Sequence, residues 1–324
     1  MIPELIERYI DTGVVRYVYR EFPLPQHPAA QKASEAALCA GEQGHYWEMN
    51  EHLFATVSEW GQETAPSFKP HAQELGLDTQ AFDACLDAGS AAVVVQGDRL
   101  AGETFGVDAT PYFFVNDIPF VGSRPIDTLG RIIEYAALGG GPPEIVPMGE
   151  DFHVRGSAQT AQAVTVAFVD YASAESAQHA LEVLPQLLDT FVDAGDMLYV
   201  LHPWAEGSDT PSAQAAATAE CAGEQGKYWE MHDQLFDQQA TWTAEADPQP
   251  LFASFAGSLG LDSDAFEACL DSDWATLHAQ AGSIVGEIYG VPGAPIYLFN
   301  NGEALQETPT FEEFQAQIDS ILSR

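Results

Sequence analysis

The sequence predicts an α/β protein made of two tandem copies of one domain, each interrupted by a helical insertion. Three observations carry this. A long internal repeat runs through most of the 324 residues. Within each copy, strand patterns of period two stand near the ends. Between them lies a stretch with only helical periodicity, and strands at both ends around a helical middle mean a sheet with a helical subdomain.

The repeat is plain at CAGEQGHYWEMNEHLF (39–54) and CAGEQGKYWEMHDQLF (221–236), an offset of 221 − 39 = 182. Upstream, PELIERYIDTGVVRYVYREF (3–22) lies over PQLLDTFVDAGDMLYVLHPW (185–204) without gaps. Downstream the offset becomes 184: LGLDTQAFDACLDAG (75–89) matches LGLDSDAFEACLDSD (259–273), and FGVDATPYFFVN (105–116) matches YGVPGAPIYLFN (289–300). Solenoid units run about 20–50 residues, so this period marks whole duplicated domains. The Gly/Pro-rich GGGPPEIVPMG (139–149) has linker composition. The expected division is therefore a domain over 1–138, a linker over 139–150 and a domain over 151–324.

Each copy reads in the same order. A period-two strand (RYVYREF; MLYVLHPW) precedes an Ala-rich helix ending near Gly41 or Gly223. A helix marked by Tyr46, Trp47, Met49, Leu53 and Phe54, or their counterparts, follows. Next comes a helix pair carrying the second cysteine, with Gly76 and Gly260 as stops and Asp78 and Asp262 as N-caps. A strand introduced by proline (PYFFVN; PIYLFN), a turn, a second strand and a terminal helix (PIDTLGRIIEYAAL; FEEFQAQIDSIL) complete the copy. Only the second copy shows the strand AVTVAFVDY and the helix start SAESAQHALEV before the shared Pro185. The equivalents of Ser173 and Ser176 fall before residue 1, so the first copy is expected to be truncated at its start.

Forty-nine acidic residues face eleven basic ones, a net charge of −38. Such a chain repels phosphate backbones and anionic membranes, which excludes nucleic-acid and lipid-surface binding. No apolar run approaches the roughly 18 residues of a membrane span. The acidity fits salty or extracytoplasmic surroundings. No Cys-x-x-Cys, His-Glu-x-x-His or Gly-rich phosphate loop occurs. The nine histidines form no ligand set on spacing alone: His45 and His52 are seven apart, but the second copy has Lys227 at the first of these positions. No metal and no cofactor is expected.

FHVRGSAQTAQAVTVAFVDY, VVRYVYREFPLPQHPAAQKASEAALCAGEQGHYWEMNEHLF, ACLDAG and GVDATPYFFVN together resemble, in order, the DsbA-like thioredoxin-fold thiol–disulfide oxidoreductases. The resemblance covers nearly the whole chain and implies tandem thioredoxin-like domains. In that family the strand resembling AVTVAFVDY runs into a Cys-x-x-Cys at a helix N-terminus. Here Ser173, Ala174, Glu175 and Ser176 stand in its place. Disulfide exchange needs a thiolate of depressed pKa and a second, resolving thiol; serine hydroxyls supply neither. The resemblance also implies cis-prolines at Pro111, after Thr110, and Pro295, after Ala294. These residues would shape a groove for an extended polypeptide.

Two cysteines occur per copy, Cys39 with Cys85 and Cys221 with Cys269. An even count at repeated spacings suggests disulfides, as in some relatives, and an oxidising compartment; four buried thiols acting as small apolar residues are the alternative. The expected partners are exported polypeptides or a redox partner protein. Three functions follow: a degenerate or truncated oxidoreductase acting in extracytoplasmic protein folding, a redox-inactive peptide-binding scaffold, or a glutathione-binding protein using Ser173 as kappa-type glutathione transferases use a serine.

Overall fold

The computed structural model describes residues 2–63, 66–139 and 153–323. Of the expected linker only Gly139 lies among them. The chain forms two compact units, one of Met1–Phe113 with Val121–Ser123, the other of Phe114–Phe120 with Arg124–Arg324.

The second unit is built on a five-stranded sheet. After a hairpin of β1 (Tyr112–Val115) and β2 (Ile118–Val121) come β3 (Val154–Arg155), β4 (Ala163–Val169), β5 (Met197–Pro203), β6 (Ile296–Phe299) and β7 (Ala304–Gln306). The sheet order is β3-β5-β4-β6-β7, with β4 parallel to β5 and the other pairs antiparallel. The strand AVTVAFV is apolar on both sides because β4 is central and covered on both faces. Ala167 and Val169 face one core with Tyr199, Leu201, Tyr297 and Phe299. Val166 and Phe168 face the other with Leu198, Val200, Trp204 and Ile296. That split is the period-two alternation expected of pleated strands.

Helix follows β4 from Ala174 to Val192 in four consecutive segments, two of them wide-turned, on either side of Pro185. Proline has no N–H for the ordinary helical ladder, and the chain accommodates it by local widening. The insertion then packs Pro211–Gly223, Tyr228–Asp237, Gln249–Ser258, Ser263–Leu270 and Asp273–Tyr289 around Cys221, Met231, Trp242 and Phe266.

The first unit repeats that insertion closely. Ala30–Gly41, Tyr46–Ala55, Thr79–Ala88 and Ser90–Thr104 enclose Cys39, Met49, Leu53, Phe82 and Cys85. Asp78 and Asp262 cap the corresponding helices. Each also exchanges two hydrogen bonds with a glutamine, Gln43 or Gln225, through its own backbone. Gly102 lies so close to Phe22, and Gly286 to Trp204, that a Cβ at either would meet the ring at 2.7 or 2.5 Å. Gly282 backs onto Pro203; its counterpart, Asp98, accepts the N–H of Glu21 at 3.2 Å. Proline has no N–H to offer, so the second copy has dispensed with the carboxylate.

One expected element is absent. Residues 16–22, RYVYREF, form no strand. Their counterpart β5 is held by β4, and the segment that would match β4 is not among these 324 residues. The stretch docks instead on the insertion: Tyr17 and Tyr19 lie against Trp47 at ring distances of 5.9 and 6.1 Å, and Tyr46 donates to Glu21 at 2.6 Å. Val18 is 52 % exposed, whereas Val200 is fully buried. The terminal helix of the first copy, Ile126–Ala137, belongs to the second unit. It packs on Asp273–Tyr289, and Arg131 pairs with the buried Glu287.

Candidate functional site

The site grows from the point where β4 ends. Val169 is the last ladder residue, and its carbonyl accepts the N–H of Trp204 at 2.7 Å, clamping β4 to the exit of β5. The chain then turns through Asp170, Tyr171 and Ala172 and enters helix at Ala174. Ser173 is the N-cap, extended at φ −82° and ψ 131°, and its Oγ accepts the N–H of Ser176 at 3.2 Å. The same hydroxyl donates to Glu175 at 2.9 Å. Serine suits this position because its oxygen satisfies a helix N–H that lacks a partner. Ser176 is fully buried, and its Oγ accepts the N–H of Asp170 at 3.1 Å. Both hydroxyls are thus committed to holding the turn.

Sequence reasoning left the surrounding residues without roles. Gln239 donates to the carbonyls of Tyr171 and Ser173 at 2.7 and 2.8 Å, pinning the loop to the insertion. Asp170 accepts from Ser212 at 2.5 Å and from the N–H of Ala172 at 2.7 Å. Burial raises its carboxyl above the ordinary range despite these bonds, and Glu206 adds to the rise. Glu175 is held low by its own backbone N–H and by the Ser173 hydroxyl. Beneath the loop, Tyr171 reaches His232 Nδ1 at 3.1 Å and Tyr228 at 3.4 Å. In the sequence, YWEMH marked only the helix that carries Tyr228 and His232, not this network.

Pro295 reaches the site through the sheet register. Phe168 is paired with Ile296 at the end of that ladder, so Pro295, which immediately precedes Ile296, lies at the end of β4 from which the chain leaves towards Ser173. The Ala294–Pro295 and Thr110–Pro111 peptides are both cis. Ser173, Ser176, Ala294 and Pro295 therefore gather at one end of β4 and β6. Thr110 and Pro111 stand before the β1–β2 hairpin, with no Ser173 counterpart in this chain. The four cysteines are elsewhere and fully used: Cys39 is bonded to Cys85 and Cys221 to Cys269.

Chemically, the turn offers a helix N-terminus, two engaged hydroxyls and the carboxyl groups Asp170 and Glu175. It has no thiol. A dithiol centre works in an electropositive setting that favours thiolate; here the ionised Glu175 stands beside the first position.

A family pattern described as thioredoxin matches residues 1–135 and again 150–320. Among curated proteins the chain is similar to a Na(+)/H(+) antiporter, NhaA 1 of Salinispora arenicola, at 36 % identity over 138 residues. That is 42 % of this chain and 21 % of the antiporter. A putative protein-disulfide oxidoreductase of Rickettsia conorii is 24 % identical over 145 residues, 42 % of this chain and 49 % of that protein. The chain thus spans about a fifth of the length of the antiporter relative and about half of the oxidoreductase. Among the described residues, no helix is long and apolar enough to cross a membrane. Among solved structures, alpha-DsbA1 of Wolbachia pipientis superposes with a TM-score of 0.49 at 19 % identity, covering 55 % of this chain and 94 % of that one. Oxidised BdbD of Bacillus subtilis gives 0.47 at 19 %, covering 53 % and 93 %.

Proposed function

We infer, from the premise that this chain belongs to the thioredoxin family, that its second copy is a polypeptide-binding module of the thiol–disulfide oxidoreductase type that performs no disulfide exchange of its own. The observation that carries this reading is the pair of hydroxyls, Ser173 and Ser176, at the helix start where the family's two thiols would stand. Disulfide exchange transfers a bond between sulfurs, and a hydroxyl cannot form the mixed disulfide. The remaining thiols are consumed in the Cys39–Cys85 and Cys221–Cys269 links. What the scaffold still offers is the backbone N–H and C=O of Ala294 before cis-Pro295, just ahead of β6, to which a peptide would add as a strand.

In this reading the protein works outside the cytoplasm, because structural disulfides persist in oxidising compartments. Exported polypeptides or a redox partner protein are its ligands. Holding a glutathione thiolate through Ser173 is disfavoured by Glu175, which stands ionised 2.9 Å from that oxygen.

Insulin reduction by dithiothreitol, followed as turbidity, tests the loss of exchange: the protein is expected to leave the rate unchanged, and acceleration overturns the reading. Binding is measured with reduced, carboxymethylated ribonuclease as the peptide probe, which is expected to bind the protein and to lose affinity in Ala294→Asp. A second reading is favoured by Val18, exposed where Val200 is covered. Residues 15–22 would then receive a strand supplied from outside these 324 residues, and with it a Cys-x-x-Cys for the first copy. The coding sequence upstream of residue 1 decides between them.

A further inference from the structure

Three side chains that the sequence reading kept apart meet in the first unit. His52 lies on Tyr46–Ala55, a helix anchored in the core by Met49 and Leu53. His71 and Glu74 are three residues apart on Lys69–Glu74, which turns Ala72 into the core just after the buried Phe68. A three-residue spacing puts both side chains on one helix face. His52 Nε2 is 2.9 Å from His71 Nδ1 and 3.3 Å from a Glu74 carboxylate oxygen, and one ligand atom from each residue lies within 4.8 Å of the other two. His71 is 9 % exposed, and the side chains of His52 and Glu74 are 20 % and 61 % exposed, so the group is seated at its base and open at its carboxylate.

We propose that His52, His71 and Glu74 bind a divalent transition ion of the zinc type, with water completing the shell. Two imidazoles and one carboxylate are a donor set such ions favour, and three protein ligands leave a position open. Bonds of about 2.0–2.1 Å in a tetrahedron place donor atoms roughly 3.3 Å apart. The His52–Glu74 separation already has that value, and the two imidazoles need to part by a few tenths of an ångström.

The second copy supplies an internal comparison. The corresponding positions are Gln234, Phe255 and Ser258, from offsets of 182 for the first and 184 for the others. There Ser258 donates to Gln234 at 3.2 Å, so the same pair of helices is joined by a neutral hydrogen bond. Joining the helices does not require ligands, yet only the first copy carries them. The ion would tie the helix of His52 to that of His71 within the insertion that Cys39–Cys85 also closes.

The test is calorimetric titration of chelator-stripped protein with Zn²⁺ in about 0.3 M salt, which confines the field of the acidic surface to roughly 6 Å. A parallel titration with Co²⁺ reads the ligand field by visible absorbance. A single saturable ion per chain and a Co²⁺ band of low-symmetry intensity are expected. The swap variant His52→Gln, His71→Phe, Glu74→Ser, which installs the second copy's residues, should lose both, with its circular dichroism unchanged. If that variant misfolds, His52→Gln alone is expected to weaken binding on the order of 100-fold. No saturable binding by the parent, or binding that survives these substitutions, overturns the site.

Discussion

Acid should loosen the second unit through two buried imidazoles, by an amount its structure sets. His179 and His232 are each 2 % exposed or less, and burial pushes both down to about 3. His179 bonds to Tyr199 at 3.0 Å and nests against Tyr297 and Phe314. His232 bonds to Tyr171 at 3.1 Å and lies among Tyr228, Trp229 and Phe236. The unfolded chain takes up protons near pH 6.5, the folded protein only near 3. Stability from each ring is therefore complete above about pH 6.5 and is lost as pH falls from there towards 3. Taking the protein from about pH 7.5 to 5 should cost about 2 kcal/mol per ring. Buried carboxyls with raised pKa, Asp170 and Glu287 among them, act in the opposite sense, so the parent's total is not diagnostic. The difference between parent and variant is. His179→Phe suits the aromatic nest, and His232→Asn installs the first copy's residue, Asn50. Urea unfolding at the two pH values should show each variant losing about 2 kcal/mol less than the parent on acidification. Equal losses in parent and variants would refute neutral burial of these rings, whatever the substitutions do to stability at pH 7.5.

Restoring sulfur to the turn is the functional counterpart: Ser173→Cys with Ser176→Cys should confer insulin reduction, and Glu175→Gln added to that pair should raise the thiolate fraction at neutral pH, read by alkylation rate. Removing the second unit's disulfide as Cys221→Ser, Cys269→Ser should cost about 4 kcal/mol by chain entropy for a 48-residue separation, measured in urea. Gly282→Ala would put a methyl group 2.1 Å from the Pro203 carbonyl and should cost about 3 kcal/mol or prevent folding. Val18→Asp should change stability by less than about 0.5 kcal/mol, whereas Val200→Asp, at a fully buried position, should cost more than about 3 kcal/mol.

Those contrasts show what could be read from the chain alone. Local signals were reliable: Asp78 and Asp262 cap helices because a short acceptor before an apolar run has one good use there. The duplicated segments located both insertions because their cores are internal to each copy. RYVYREF misled because a strand is defined by its neighbour, and a period-two pattern reports only a willingness to pair. The Asp170–Ser212 and Gln239–Ser173 bonds span 42 and 66 residues, beyond any local pattern. The His52 cluster escaped for the same reason. Its informative piece, His71 and Glu74 three apart, gains meaning only when another helix brings an imidazole.

Arg131 gives the duplication a consequence of its own. It sits in a stretch inherited from the first copy, yet its guanidinium neutralises Glu287, a carboxylate almost sealed from water in the second. Separating the helix Ile126–Ala137 from Asp273–Tyr289 would strand that anion, at about 3–5 kcal/mol for a sequestered pair deprived of one member.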